Sequence, residues 1–473
     1  MQKELTRRRM LQIAASGTGA TFLGGRDPQL RAESETSNIP TPTPAQLRWQ
    51  RCETGVIYHL DMPLVAGDFT PNNATRKTYD PKLYNPKELN TDQWLDAAKV
   101  GGAKYAIFTA THFNGFMQWQ SDLYPYSLKY AAWRDGKGDI VADFVESCRK
   151  VDILPGIYLS THRNAYQTVW GHYVDWGKGK GTAKQTAYNR VAEKQVEELC
   201  SRYGDLVQVW FDAGVMTPAQ GGPDVLPVFE KCQPGSVFYH SADRADHRWI
   251  GNEEGHAGDP CYATMPGRER GLLSHNSGTW RECLYHGDPE GSIWSPAMVD
   301  IVLRGQGNHD WFWRPGVDHT QYSVDELQKM YDTSVGRNCN LVIGLVVNNQ
   351  GLVPQPDVKR MEELGKAQRG RFSKTVGQTA GQGDVVTLEL ERPRKVNEVV
   401  LQEDVAHGER VRGYVLEGHT SGDNWEELWG GQSIGNKHIE RIKPVEIAAM
   451  RLRVIEQIAE PRIKSMQLFG PSA

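Results

Sequence analysis

Four successive apolar runs in the first half of the chain each end on or beside an ionisable side chain. They are GVIYHL, YAIFTATH, LPGIYLSTH and LVQVWFDAG, and the ionisable residues are His59, His112, His162 and Asp212. Continuous apolar runs of this kind are typical of strands that are covered on both faces. In a parallel β/α barrel, the carboxyl ends of all strands open onto one pocket. The pattern therefore predicts that these four side chains share one site.

Segments with helical periodicity separate these runs, at 91–100, 137–150 and 183–203. Three later runs, SVFYHSAD, SIWSPAMVDIVL and CNLVIGLVV, are further candidate strands. This alternation predicts an α/β fold, a (β/α)8-like TIM barrel, which we place at residues 34–367. Beyond it, short alternating runs separated by Gly, Pro, Asn and Asp replace the helical pattern. They predict a C-terminal all-β sandwich domain at 368–473.

The N-terminal stretch TRRRMLQ at residues 6–12 resembles a twin-arginine export signal. The following 13–25 stretch is too short and too polar to anchor the chain in a bilayer. Residues 1–33 are therefore predicted to be a signal peptide and linker, and the protein is expected to be periplasmic or secreted. A basic start of an amphipathic helix is the alternative interpretation. No other segment predicts a membrane span.

Charge and composition exclude some partners and favour others. The 54 basic and 58 acidic residues nearly balance, which gives no indication of nucleic-acid binding. Tyr and Trp outnumber Phe and suit a carbohydrate, although they are also ordinary core residues. The seven cysteines include no C-x-x-C pair. A metal pair at His59-x-Asp61 lacks a second His at the usual spacing, so neither a metal nor a cofactor is predicted.

Two carboxyl groups of different pKa can supply the proton and the negative charge that cleavage of a glycosidic bond requires. Asp212 follows an apolar strand directly, although an Asp there could also cap the next helix. The loop HRWIGNEEG supplies Glu253 and Glu254. Two adjacent carboxylates cannot both face a tight pocket, so one is predicted to be catalytic. A solvated acidic turn is the alternative for both.

Several segments together resemble the α-L-fucosidases of glycoside hydrolase family 29. They are NTDQWLDAAKVGGAKYAIFTATHFNGFMQW, VWFDAG, RWIGNEEG, WFWRPGVDH and SVGRNCNLVIGLVVNNQGLVP. The glutamate loop is similar to that of the subgroup that cleaves α-1,3/1,4-linked fucose. The resemblance implies an exo-acting hydrolase with retention, in which Asp212 is the nucleophile and Glu253 the acid/base. It implies a fucosylated glycan or polysaccharide as substrate, and Glu254 is the alternative acid/base.

We expect six further residues to bind substrate: His59, His112, Asn114, Trp119, His162 and Trp311. His59 aligns with a sugar-binding His of the family, whereas His162 has no counterpart there. The histidines could instead be hydrogen-bonded barrel residues, and the tryptophans could simply fill the barrel mouth.

The chain departs from the family pattern around the sugar. His112-Phe113-Asn114 stands where the family has His-His-Asp, and Thr161-His162-Arg163-Asn164 replaces Pro-Trp-Asp-Arg-Asn. Met298 stands where a Glu is common. The reaction type is therefore better determined than the sugar. Two alternatives stay open: the same chemistry on a related sugar such as α-L-galactose, and a carbohydrate-binding protein that has lost turnover.

Overall fold

The computed structural model describes residues 39–70, 75–267, 278–307, 309–420 and 424–471. The predicted export signal and linker therefore lie outside the described residues. Within the described ranges, no helix combines the length and the apolar character that crossing a membrane requires.

Eight parallel strands form one sheet in the spatial order β5-β4-β3-β2-β1-β8-β7-β6. They are β1 (Thr54–His59), β2 (Tyr105–Thr111), β3 (Leu154–Leu159), β4 (Gln208–Val215), β5 (Val237–Ser241), β6 (Arg248–Trp249), β7 (Ala297–Val302) and β8 (Cys339–Val346). The sheet curves into a nearly closed barrel, which confirms the (β/α)8-like fold. The sequence indicated seven of these strands. It missed β6, because two residues are too few for a periodic signal.

Helices follow or precede the strands along the chain. They are α1 (Pro44–Gln50), α2 (Met62–Val65), α3 (Thr91–Val100), α4 (Ile140–Lys150), α5 (Val174–Gly177), α6 (Ala183–Arg202), α7 (Leu226–Cys232), α8 (Gly278–His286), α9 (Val324–Thr333) and α10 (Gln355–Arg371). Side-chain caps fix where several of them begin: Asn90 Oδ1 accepts from the Gln93 amide at 3.2 Å, and Asp139 Oδ1 from the Ala142 amide at 2.9 Å. Two-residue antiparallel strands also join 163–164 to 169–170 and 264–265 to 293–294.

The barrel interior is filled by large side chains below its carboxyl end. Ile57, Ile107, Trp210, Met298 and Val342 belong to one buried cluster with Trp49 of α1. The Trp49 indole donates to Gln208 Oε1 at 2.9 Å at the start of β4. Because this layer closes the barrel from below, only the carboxyl ends of the strands are left to form a pocket.

Six antiparallel strands form the C-terminal domain in the order β9-β14-β10-β13-β11-β12. They are β9 (Thr375–Gln382), β10 (Val385–Glu403), β11 (Val411–His419), β12 (Trp425–Gly431), β13 (His438–Gln457) and β14 (Arg462–Phe469). They enclose their own apolar core, and the predicted all-β domain is confirmed. At the end of α10, Arg371 pairs with Asp332 of α9 and with Glu398 of β10, each at 2.6 Å. This arginine ties the domain to the barrel.

Candidate active site

A pocket of about 230 Å³ opens at the carboxyl ends of the barrel strands. It is lined by Ile57, His59, His112, Phe113, Tyr158, Trp210, Asp212, Glu253, Asp300 and Trp311. All of these residues belong to the barrel. The volume is smaller than the roughly 300–1,000 Å³ of sites for drug-sized ligands. The pocket therefore suits a single small ring better than a chain of them.

Asp212 is held at a sharp turn in β4. Ala213 and Gly214 have positive φ angles of 55° and 77°, and the pairing of β4 with β5 shifts register here. A side chain at Gly214 would place a Cβ 2.7 Å from the His240 ring, so only glycine fits. Tyr158 Oη donates to Asp212 Oδ2 at 2.9 Å. Burial raises the pKa of Asp212, and the bond from Tyr158 opposes that rise.

Glu253 lies in the loop after β6 and is partly exposed. Its Oε2 is paired with His309 Nε2 and accepts from Trp311 Nε1 at 3.3 Å, while Oε1 has no partner among the described residues. The bond to Glu253 raises the pKa of His309. The neighbouring Glu254 points outward, with 74% of its side chain exposed and His256 at 3.5 Å. Of the two glutamates, only Glu253 faces the pocket.

Asp300 is a third carboxyl group in the pocket, and it was not predicted from the sequence. It lies on β7 and is 5% exposed, and Trp249 Nε1 donates to its Oδ1 at 2.8 Å. Burial, followed by the nearby Glu253, raises the pKa of Asp300 to about 8. Asp300 therefore favours its protonated form more strongly than an ordinary aspartate does. A signal was available, since Asp300 follows Met298 by two residues and must face the same side of the strand.

His59 and His112 present uncharged imidazoles to the pocket. Burial lowers the pKa of His59 to about 3 and that of His112 well below its usual value. The Nδ1 atoms of both are buried, and neither has a hydrogen-bond partner in the part of the chain that the structure describes. A buried nitrogen left without a partner costs about 1–3 kcal/mol. A ligand hydroxyl at each position would remove that cost.

The Trp311 ring covers the carboxyl end of the barrel by packing against Gly344 of β8, which has no side chain in its way. A Cβ at Gly344 would lie 2.6 Å from the Trp311 ring. The ring centroid is 5.1 Å from that of His59, and the indole nitrogen reaches Glu253 at 3.3 Å. Trp311 therefore connects the imidazole wall to the glutamate.

Comparison with known proteins identifies the family. The sequence profile of the family described as Alpha-L-fucosidase matches residues 69–368, which is well over half of the chain. The chain belongs to the α-L-fucosidase family. It is therefore a glycoside hydrolase, as the sequence predicted.

Individual members of the α-L-fucosidase family match along nearly the whole chain. A crystal structure of a putative α-L-fucosidase from Bacteroides thetaiotaomicron is 42% identical, covers 92% of this chain and 100% of its own, and superposes with a TM-score of 0.87. A glycoside hydrolase 29 family member from an unknown rumen bacterium is 26% identical, with coverages of 92% and 78% and a TM-score of 0.75. Alpha-L-fucosidase 1 of Arabidopsis thaliana is 27% identical over 91% of this chain and 88% of its own length.

In this family member, five of the eight predicted site residues line the pocket: Asp212, Glu253, His59, His112 and Trp311. Glu254, the alternative acid/base, points outward and does not line this pocket. Asn114 and Trp119 do not line this pocket. Asn114 is fully buried, and its amide donates to the Lys77 carbonyl at 2.7 Å. Trp119 is also fully buried, and its indole donates to Glu198 Oε2 at 2.8 Å. Both stabilise the loop after β2, which turns away from the pocket once it has passed Phe113.

His162 does not line the pocket either. Its ring centroid is 4.6 Å from that of His172, and burial lowers the pKa of both histidines to about 4. It lies beside Arg163, whose charge contributes to the low pKa of His162. The described residues contain no group of three or more His, Cys, Asp or Glu that could hold a metal ion. Asp61 instead caps α2, accepting from the Met62 amide at 2.7 Å.

Proposed function

We propose that the protein is a retaining exo-α-L-fucosidase in which Asp212 is the nucleophile and Glu253 the acid/base. The observation that carries this proposal is that both carboxyl groups face one pocket sized for a single ring. Retaining glycosidases place their two carboxyl groups about 5–5.5 Å apart. The closed lower layer of the barrel favours a substrate that enters by its terminal sugar.

In the first step, Asp212 Oδ attacks the anomeric carbon while Glu253 gives its proton to the departing glycosidic oxygen. The Asp212 carboxylate must be ionised for this attack. The Tyr158 hydroxyl and the Ala213 amide favour the ionised form and oppose the effect of burial. Glu253 Oε1 is the oxygen without a described partner, which leaves it available for the glycosidic oxygen.

In the second step, Glu253 takes a proton from water, and the oxygen of that water displaces Asp212 from the anomeric carbon. His309 and Trp311 hold Glu253 Oε2, so the carboxyl group keeps one orientation while its protonation changes. Glu253 would act first as acid and then as base, as microscopic reversibility requires.

Recognition of the sugar would rest on the histidines and on the aromatic lining. The orphaned Nδ1 atoms of His59 and His112 suit two ring hydroxyls. Phe113 offers an apolar face in the same pocket. L-Fucose has a methyl group where L-galactose has a hydroxymethyl group, and an apolar face favours the methyl.

The test compares aryl α-L-fucoside with aryl α-L-galactoside for the wild type. We expect faster hydrolysis of the fucoside and α-L-fucose as the first product in NMR. Faster hydrolysis of the galactoside would reassign the sugar, and β-L-fucose as first product would remove the nucleophile role of Asp212. Binding of fucose without turnover of either substrate would indicate a carbohydrate-binding protein and refute the enzyme proposal.

We also propose that the chain is exported to the periplasm or secreted by the twin-arginine route. The consecutive arginines at residues 7–9 support this. The buried Cys52, Cys148, Cys200, Cys261 and Cys339 are free thiols, which suits a fold that is completed in a reducing compartment before export. Replacing the residues Arg7 and Arg8 by lysine should retain the protein in the cytoplasm, as measured by cell fractionation. Unchanged export would contradict the route.

A further inference from the structure

Arginines and aromatic rings alternate along one side of the pocket mouth. The Arg163 guanidinium carbon lies 4.6 Å from the ring centroid of Phe113 and 4.2 Å from that of Trp170. The Arg76 guanidinium carbon lies 4.4 Å from the Trp170 centroid and 5.0 Å from that of Trp176. We call these five residues the cation–aromatic wall.

The two arginines of this wall lack the partners that other stacked arginines have. Within the described ranges, the guanidinium groups of Arg163 and Arg76 take part in no ion pair and no hydrogen bond, and Arg163 Nε is buried without a partner. Stacked arginines elsewhere are satisfied. Arg134, Arg244, Arg371 and Arg451 each pair with a carboxylate, and Arg412 donates to backbone carbonyls. A part-buried guanidinium without any acceptor is a costly arrangement unless a ligand supplies one.

The charge of Arg163 reaches the reaction site. It opposes the rise in the pKa of Asp212 and contributes to the low pKa of His112, so it acts on both pocket residues. The neighbouring histidines His162 and His172 are uncharged at neutral pH, because their pKa values are lowered to about 4. These two histidines therefore add no positive charge to that of the two arginines.

The wall leads outward from the pocket. Phe113 is a lining residue, whereas Arg76 is exposed to solvent. Because the pocket has room for one sugar ring, the part of a substrate that would meet the outer members is the group that leaves. An arginine held between two rings is already oriented, so it loses little freedom when it binds an acceptor with two oxygens.

We propose that the cation–aromatic wall is a subsite for an anionic group, a sulfate ester or a carboxylate, on the sugar to which the fucose is attached. This inference rests on the proposed function, since it takes the pocket to hold the fucose. Arg163 would donate two hydrogen bonds to the anion, and Arg76 would add a second, more exposed contact. A charge-assisted hydrogen bond of this kind contributes about tenfold to a hundredfold in affinity.

The test uses three kinds of fucosyl-galactose probe at equal concentration: the neutral disaccharide, a set sulfated at each free galactose hydroxyl in turn, and the disaccharide with its galactose oxidised to the uronate. We expect at least one anionic probe to exceed the neutral one in kcat/KM by about tenfold or more at low ionic strength. Added NaCl should reduce this ratio, since exposed charges are screened. Which probe is preferred identifies the anion as sulfate or carboxylate.

Arg163→Met removes the charge and leaves a flexible side chain that still packs between two rings. We expect it to lower the anionic-to-neutral ratio to within about threefold of one. Arg451→Met is the matched control, because Arg451 is stacked on Trp425 at 4.4 Å but already paired with Glu417. The control should keep the wild-type ratio.

Two results would overturn the subsite: a wild-type ratio of one or below for every anionic probe, or an unchanged ratio in Arg163→Met. Either can occur while the neutral disaccharide is hydrolysed, in which case the proposed function stands and the subsite fails. If no probe is hydrolysed, the proposed function fails. Calorimetric binding of sulfated against neutral probes to both variants then decides the subsite independently.

Discussion

The two sides of the pocket mouth differ in charge and in origin. One side is formed by β4, by the loop after β6 and by β7, and it carries the carboxyl groups of Asp212, Glu253 and Asp300. The other side follows β2 and β3 and carries Phe113 and Arg163. Carboxyl groups can attack the anomeric carbon and transfer protons, whereas a stacked arginine can only attract and orient an anionic part of the substrate. Substitutions on the first side should therefore lower the turnover of every fucoside. Substitutions on the second side should change the ratio of kcat/KM between anionic and neutral fucosides.

The largest effect is expected at Asp212. Asp212→Gly should lower kcat by about 10⁴-fold or more on every α-L-fucoside, because the nucleophile is lost. Added azide should restore part of the turnover and give β-L-fucosyl azide, since it attacks from the side that Asp212 occupied. Rescue that gave the α-azide would assign Asp212 to the acid/base role. Asp122→Asn, which changes an exposed carboxylate paired with Lys129, should leave kcat unaltered.

Glu253 should show a smaller effect that depends on the leaving group. Glu253→Gln should lower kcat/KM on disaccharides by about 10²–10⁴-fold, because their leaving oxygen needs a proton. Nitrophenyl fucoside, whose leaving group needs little assistance, should lose much less in the first step. The matched control is Glu254→Gln, since Glu254 is 74% exposed and adjacent in sequence. A larger loss in that control than in Glu253→Gln would exchange the two roles.

These two residues also illustrate what the sequence could reveal. Asp212 stood out because an apolar run fixes the strand, and the strand fixes where its last side chain points. Glu253 needed the resemblance, because nothing local distinguishes it from Glu254. The difference between them comes from contacts with His309 and Trp311, which lie more than 50 positions later. The barrel could be predicted in the same way, from periodicity, except for the two-residue β6.

Residues placed by loops rather than by strands were predicted less well. Asn114 and Trp119 follow the β2 strand end closely, but the loop folds back and buries both. Arg163 was noted only as part of a departure from the family motif. Its position between two rings depends on Trp170, which reaches it through the short antiparallel pairing of residues 163–164 with 169–170. No periodic pattern encodes such a contact.

Gly344→Ala tests whether the carboxyl side depends on the packing of Trp311. The new methyl would lie 2.6 Å from the Trp311 ring, so the ring must move. Trp311 would then lose its bond to Glu253, and we expect kcat/KM to fall by about 10–100-fold on neutral and anionic substrates alike. The ratio between those substrates should not change, because Arg163 is on the other side of the mouth. A changed ratio would show that the two sides are not separable. Circular dichroism would check the fold.

The smallest effect on turnover is expected at Asp300, because its raised pKa favours the protonated form at pH 6. Asn closely resembles a protonated Asp and can still accept from Trp249. Asp300→Asn should therefore keep kcat/KM at pH 6 within about tenfold of the wild type. A loss as large as that of Glu253→Gln would mean that Asp300 is the proton donor, and the proposed roles on the carboxyl side would have to be revised.

Asp300→Asn should stabilise the fold relative to the wild type, and this stabilisation should grow as the pH rises. An Asp in the unfolded chain has a pKa of about 3.9, whereas that of folded Asp300 is about 8. Between these values the folded protein holds a proton that the unfolded chain has released, so this group lowers the free energy of unfolding as the pH rises. Asn does not titrate. The melting temperature of Asp300→Asn relative to wild type should therefore increase from pH 5 to pH 8, by about 2 °C or more at the upper end. A difference that stayed constant over this range would show that Asp300 is ionised throughout, and the carboxyl side would then carry one more negative charge opposite Arg163.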